Sequence, residues 1–363
     1  MFPDQPLSSA PEDHVSVTRR NFLATTRLAA AAPFVLGTTN KSGSKLPIVG
    51  DADHQYEAIH DWGQPPANIK YGNTHGVCED SQGHIYIHHT VHADSESADT
   101  IVVFDEAGKF VRSWGKQYKG GAHGLMLRKE GTEEFLYLCD YAHAIVTKRT
   151  LKGEEVFTLG YPVESPAYDP SRNNGRVLYQ PTNLAIAPNG DIYIADGYGS
   201  SYINQYTKDA QFIRTFGGQG KDAGQLNCPH GIWVDTRAET PVLVVADRSN
   251  HRLQRFTLDG KHIDFILDTT KLPCHFHERN GEVVLPDLWS KVVVLDRNNK
   301  VIATLGDAGY TQEDWMKVRA QDRATFPPGK FICPHSACFD HAGNIFVVEW
   351  VEVGRVTKLR KIA

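Results

Sequence analysis

Five short segments place a histidine at the mouth of a β-type run: "THGV" at 74–77, "AHGL" at 122–125, "PHGI" at 229–232, "CHFH" at 274–277 and "PHSA" at 334–337. A sixth, "TNLA" at 182–185, carries Asn183 in that place. Singly, each histidine reads as a polar residue that a neighbouring backbone group satisfies. His75, His123, His230, His275 and His335 together point to metal chemistry, provided the fold brings them to one place. Crowded imidazoles repel when charged, and neutral imidazoles are good ligands for a divalent metal. Three histidines with an open fourth position form a catalytic zinc donor set, which polarises an oxygen or lowers the pKa of bound water. Copper and iron accept the same ligands, so zinc is only the first expectation.

Other chemistry-bearing groups stand at strand ends. "ADGY" at 195–198 brings Asp196 and Tyr198, and "ADRSNHR" at 246–252 brings Asp247 and Arg248. The two aspartates read as turn residues, because their side chains bond the backbone two residues on. Tyr198 and Arg248 read as catalytic. A phenol serves as a base once a metal or an arginine lowers its pKa, and an arginine clamps a carboxylate through two parallel hydrogen bonds.

The elements that must position these groups form a repeat. Each anchor opens a short apolar strand, followed by a polar turn often holding Gly, a second strand, a charged or Gly-rich turn and a third strand. A fourth strand follows in "FVRSWGKQ", "EVFTLGYP", "FIRTFGGQG" and "VIATLGDA". The anchors at 75, 123, 183, 230, 275 and 335 are spaced by 48, 60, 47, 45 and 60 residues. Four strands at such a period predict an all-β fold, a six-bladed β-propeller over 46–363, because one such sheet cannot bury both faces alone. The longer gaps hold insertions before 183 and before 335, the second with room for a short helix. The sixth unit has only three strands before Ala363, and "QYEAIHDWGQ" at 55–64 matches the missing outer one. The N-terminal strand is therefore expected to complete the last blade, close the ring and remove its exposed edge. First strands line a propeller's channel, so residues at their mouths converge on the axis.

Composition agrees. The 363 residues are 40% hydrophobic, with 31 Gly, 19 Pro and 3 Met, which favours strands and turns. A net charge of −5 leaves no basic surface for nucleic acid. No apolar run reaches the roughly 18 residues that span a bilayer. Residues 1–45 read as a separate export signal and linker: Arg19-Arg20 precede Asn21-Phe22-Leu23 and an Ala-rich stretch, a twin-arginine pattern. That predicts a periplasmic or secreted monomer, exported already folded. Of six cysteines, Cys228, Cys274 and Cys333 precede a histidine by one or two residues, so free thiols are expected more than disulfides.

The stretch from "QPTNLAIAPNGDIYIADGY" at 180–198 through "PHGIWVD" and "VADRSNHRLQRF" resembles NHL-repeat propellers, and within them peptidyl-α-hydroxyglycine α-amidating lyase. The resemblance is specific over about 120–260 and looser at 334–360. It implies zinc on His123, His230 and His335, a catalytic Tyr198 and a substrate-clamping Arg248. The implied reaction cleaves the C–N bond of a carbinolamide, giving an amide and a carbonyl product from a small-molecule or peptide-like substrate. Ser336 stands where the family has Asp, which leaves its calcium site in question. His88 or His89 stands where the family's first-blade Arg would be, and Gly199 replaces a half-cystine. His75, His275, His89 and Asn183 remain as further metal or substrate groups. The alternative is a non-enzymatic propeller that binds a peptide, glycan or protein partner, since fold alone does not decide.

Overall fold

The computed structural model describes residues 45–362. Apart from Lys45, the export signal expected at 1–45 lies outside the described residues. Within them the chain forms six antiparallel sheets. Blade 1 is Thr74–Glu79, Ile85–His89, Ile101–Phe104 and Phe110–Trp114; blade 2 is Ala122–Glu130, Glu133–Asp140, Ile145–Thr150 and Glu155–Leu159. Blade 3 is Asn183–Ile186, Ile192–Asp196, Tyr202–Tyr206 and Phe212–Gly217; blade 4 is Pro229–Asp235, Val242–Asp247, Arg252–Phe256 and His262–Ile266. Blade 5 is His277–Arg279, Glu282–Asp287, Lys291–Leu295 and Val301–Leu305. Blade 6 takes Pro334–Phe339, Ile345–Glu349 and Arg355–Lys361 from the end of the chain, and Tyr56–His60 with Ile48–Val49 from its beginning.

Turn chemistry explains the hairpins. In "DSQG" at 80–83, "DEAG" at 105–108 and "DHAG" at 340–343, one aspartate oxygen accepts backbone N–H groups two and four residues on. The glycine takes a left-handed φ of 81° to 86° that other residues adopt at a cost. Second and third strands are apolar on both sides, as in Ile85-Tyr86-Ile87, because each blade is sandwiched between two others.

Closure is visible in the core. Six apolar clusters fill the six interfaces between neighbouring blades. The one between the last and first blades joins Cys338, Phe346, Val348 and Val356 to Val77, Ile87, Val102 and Phe104. Trp62, just past the closing strand, packs edge-on against both Phe104 and Phe346. Tyr56–His60 pairs antiparallel with Arg355–Lys361 along its whole length, as the sequence pattern required. A seventh cluster lies under the second insertion, where the helix Gln312–Val318, capped by Thr311 and Asp314, buries Trp315.

A buried ion pair marks the closing seam. Arg355 and Glu349 are both almost fully buried, and the guanidinium donates to both carboxylate oxygens. Glu349 also accepts the Ile332 N–H at 2.7 Å, and Arg355 donates to the Lys330 carbonyl at 2.7 Å. Glu349→Ala would leave the guanidinium buried without its counter-ion. It is expected to lower the unfolding free energy by about 3–5 kcal/mol, read from the urea midpoint.

His60 adds a pH dependence. Its Nε2 accepts the Gly329 N–H at 2.9 Å, and its Nδ1–H donates to Thr357 Oγ1 at 2.8 Å. Burial, reinforced by the nearby Arg355 charge, pushes its pKa down from 6.5 to about 4. The unfolded chain therefore takes up this proton at a higher pH than the folded one. The stabilisation is whole above pH 6.5 and is lost as the pH falls towards 4. Urea midpoints measured across that window should fall with pH, and less steeply in His60→Gln.

Candidate active site

Four histidines meet at the mouth of the channel. The His75 and His335 ring centroids are 4.5 Å apart, His75 and His123 4.8 Å, and His123 and His335 4.7 Å. His230 lies 4.8 Å from His123 and 4.7 Å from His335. All four are buried. A local irregularity puts them there. The ladder between first and second strands shifts register between Thr74 and Gly76, Ala122 and Leu125, Pro229 and Ile232, and Pro334 and Ser336. Each shift is a bulge that holds the histidine, and bulges re-aim side chains beside functional sites. The glycine after the histidine is sterically required in three blades: a Cβ on Gly76, Gly124 or Gly231 would approach atoms of the next blade to 2.5–2.7 Å.

Two of the six anchors differ. In blade 3 the pairing is regular, Asn183 opposite Ala195, and the Asn183 Oδ1 accepts the Leu184 N–H at 2.9 Å. In blade 5 Pro273 bridges to Asp287 as Pro229 pairs with Asp247. Cys274 therefore occupies the histidine position and His275 stands one residue beyond it. This corrects the sequence alignment. Among the described ring contacts none joins His275 to the other four. It lines a 310 Å³ cavity further along the channel with Val77, Leu125, Ile232 and Phe276. His89 is also apart: its Nδ1 accepts the Val91 N–H at 3.1 Å and its ring meets the edge of Tyr71. His88, its neighbour, is buried against Tyr118.

Tautomers follow from the second set of contacts. The Nδ1–H groups of His123, His230 and His335 donate to the carbonyls of Thr182, Cys274 and His75, at 2.5, 2.8 and 2.9 Å. In each case the acceptor belongs to the next blade. A donor fixed in this way leaves Nε2 as a lone pair, the arrangement usual for imidazole ligands of metals. Burial is the largest cause in each case: it depresses His75, His123 and His230 well below the usual range and takes His335 to about 3, with neighbouring imidazoles adding to it at all four and the Arg248 charge at His123, His230 and His335. The cluster is neutral at physiological pH, and its donor set fits a divalent ion. Two triads compete for it. His75, His123 and His335 bring ligand atoms within 4.8 Å of one another. His123, His230 and His335 share the carbonyl-anchored geometry. His75 differs from the other three in that its Nδ1 faces His335 Nε2, at 3.3 Å, instead of a carbonyl.

Tyr198 sits against this group. Its hydroxyl lies 3.1 Å from His123 Nε2 and 3.0 Å from His230 Nε2. Arg248 stacks over the phenol ring at 5.3 Å, with Nη1 3.5 Å from the hydroxyl and Nη2 3.2 Å from Cys228 Sγ. Burial pushes the phenol's pKa up and the arginine pulls it back only in part. Asp196 and Asp247 are structural. Asp196 accepts the Gln180 and Ser200 N–H groups and the Tyr168 hydroxyl, while Asp247 holds Asn227, Asn250, Arg252 and Gln254.

One neighbour escaped the sequence reading. Tyr141 has its ring 5.9 Å from His123 and 5.7 Å from Tyr198. It follows Asp140 at the end of a second strand, much as Tyr198 follows Asp196-Gly197, and that parallel was the available signal. Cys228 touches Arg248 rather than a histidine. All six cysteines are free.

No protein-family model matches the chain. It is 30% identical over 222 residues to peptidyl-alpha-hydroxyglycine alpha-amidating lyase 1 of Drosophila melanogaster, covering 53% of this chain and 39% of that one. It is 28% identical over 196 residues to the human NHL repeat-containing protein 3, covering 52% and 53%. The chain thus spans about half or less of the length of these relatives. Among solved structures, a streptogramin B lyase aligns with a TM-score of 0.56 at 13% identity, over 84% of this chain and 98% of that one, which speaks for the fold alone. The chain is a six-bladed β-propeller whose sequence resembles NHL-repeat proteins and peptidyl-α-hydroxyglycine α-amidating lyase.

Proposed function

We propose that the protein is a metal-dependent lyase acting at this mouth of the channel. The observation that carries the reading is the Tyr198 hydroxyl, held between two imidazole Nε2 atoms with an arginine over its ring. His123, His230 and His335 would hold a divalent ion, zinc by donor type, which supplies Lewis acidity towards an oxygen of the substrate. Arg248 clamps an anionic group and fixes the substrate's orientation. Tyr198 Oη, as the phenolate that Arg248 and a bound ion would favour, takes the proton of a carbinol hydroxyl as the carbonyl forms and the C–N bond breaks, and passes that proton to the departing nitrogen. The buried, neutral histidines add no charge of their own, so Arg248 and the ion would be the positive charges that select an acid. A carbinolamide bearing a carboxylate, as in an N-acyl-α-hydroxyglycine, meets these requirements. Likeness to the amidating lyases supports that choice.

Tyr198→Phe tests it. The substitution removes one oxygen and keeps the ring, so metal content should stay at the parent level. Turnover of an N-acyl-α-hydroxyglycine, followed by release of the carbonyl product, should fall by about 10²–10⁴-fold, the usual worth of a general base. A variant with parental kcat would remove Tyr198 from the mechanism. The Arg19-Arg20 pattern supports export through a twin-arginine route to the periplasm or beyond. Replacing both with Lys should leave precursor in the cytoplasm, and unchanged export would refute that route.

A further inference from the structure

A second cavity opens beside the turn that carries Arg248. It has a volume of 440 Å³ and is lined by His251, Asp268, Thr269, Thr270, Lys271, Trp289 and Lys291. Arg248–Asn250 is a single 3₁₀ turn capped by His251, so one turn presents Arg248 to Tyr198 and His251 to this cavity. The His251 Nδ1–H donates to the Lys271 carbonyl at 2.6 Å, which ties the turn to the segment beyond it. The fully buried Asp287 carboxylate fixes the rest of the wall, accepting the N–H groups of Lys271 and Leu272 at 2.8 Å and of Trp289 at 3.0 Å. That segment then runs on to Cys274, whose carbonyl orients His230.

Its chemistry is that of a binding site. Among the described residues neither Lys271 nor Lys291 has a carboxylate within ion-pair distance, and Asp268 is the one acid in the lining. Lys271 Nζ lies 5.1 Å from the centre of the Trp289 ring. The hydroxyls of Thr269 and Thr270 are buried without a hydrogen-bond partner, and Thr270 is only 7% exposed. Three residues around the cavity, His251, Asp268 and Ser290, hold left-handed backbone with φ of 57–65°, and such strain gathers at ligand sites. The larger cavity at the seam of blades 6 and 1 is different. There Arg323 is paired with Asp61 and His92 with Asp94, which leaves Lys70 as the one unpaired cation of the lining among the described residues, where the smaller cavity has two.

We propose that the Lys271–Lys291–Trp289 cavity is a substrate subsite for an anionic group, carboxylate or phosphate, carried on a flat apolar or aromatic part of the molecule. The two ammonium groups take the anion, and the indole takes the carbon skeleton. The inference rests on the Tyr198–Arg248 mouth being the active site, and it makes the substrate an elongated one with a second acid. Calorimetric titration with phenyl phosphate and with phenylacetate tests it without turnover. At least one probe should bind, with affinity about tenfold weaker or worse in Lys271→Met/Lys291→Met and unchanged in Tyr198→Phe. The probe that responds identifies the anion. No binding by either, or binding indifferent to the lysines, overturns the subsite. In turnover, N-succinyl-α-hydroxyglycine should exceed its N-acetyl counterpart in kcat/KM, and the double variant should erase the preference. If neither compound turns over, the lyase reading fails while the titration still decides the subsite.

Discussion

Single alanine replacements at His123, His230 and His335 are expected to strip the protein of the proposed divalent ion and leave the propeller folded. Loss of an outer contact to a ligand already weakens metal sites by 10- to 100-fold, so loss of a ligand should exceed about 100-fold. Elemental analysis would register this as a fall from about one equivalent to under a tenth. The fold should survive because the six apolar clusters lie between the blades, away from the mouth. His75 and His230 decide between the two triads. Metal retained in His75→Ala and lost in His230→Ala supports the carbonyl-anchored set, and the reverse supports the compact one. A parent protein without metal, after growth with zinc, copper and iron, would overturn the enzyme. It would leave a propeller that binds a peptide, glycan or protein partner.

Removing residues 45–62 should have the largest effect on the fold. The deletion takes away the closing strand and with it Tyr56, Ala58 and Trp62, all buried. Losing a buried aromatic costs about 3–5 kcal/mol, and two of them approach the whole 5–15 kcal/mol that holds a domain together. The Arg355–Lys361 strand would become an open edge, a template for pairing with other chains. The truncated protein should pellet or elute as aggregate on size exclusion. A compact, soluble and equally stable product would mean that the ring does not depend on this strand.

Much of this architecture is legible in the sequence because it is built from local signals. Asp-x-x-Gly turns, apolar triplets and a period near 48 residues each act within one blade, and the orphan pattern at 55–64 completes the count. The histidines of the mouth are legible for the same reason, since each opens a first strand. What fails is register. His275 and His230 look equivalent when histidines are aligned, yet Pro273 and Pro229 are the residues that occupy matching pairs. Aligning prolines would have placed Cys274 at the mouth. A bulge shifts the frame by one residue, and no composition reveals which residue faces its neighbour across the ladder. Tyr141 escaped because its contact with Tyr198 joins blade 2 to blade 3, and such a contact is set by the packing of one blade on the next.

The seam between Tyr56–His60 and Arg355–Lys361 also sets a timetable. His60 and its partner Thr357 are 297 residues apart in the chain. At about 5–20 residues per second, a ribosome takes roughly 15–60 s to deliver the partner after the first strand has emerged. During that interval blades 1 to 5 can form in sequence, while the opening strand waits with an unsatisfied edge and the mouth lacks His335. A metal that needs His335 can be captured only after the last blade is made, so loading and closure fall together at the end of synthesis. A nascent chain stalled before residue 355 would then be the species most in need of a chaperone.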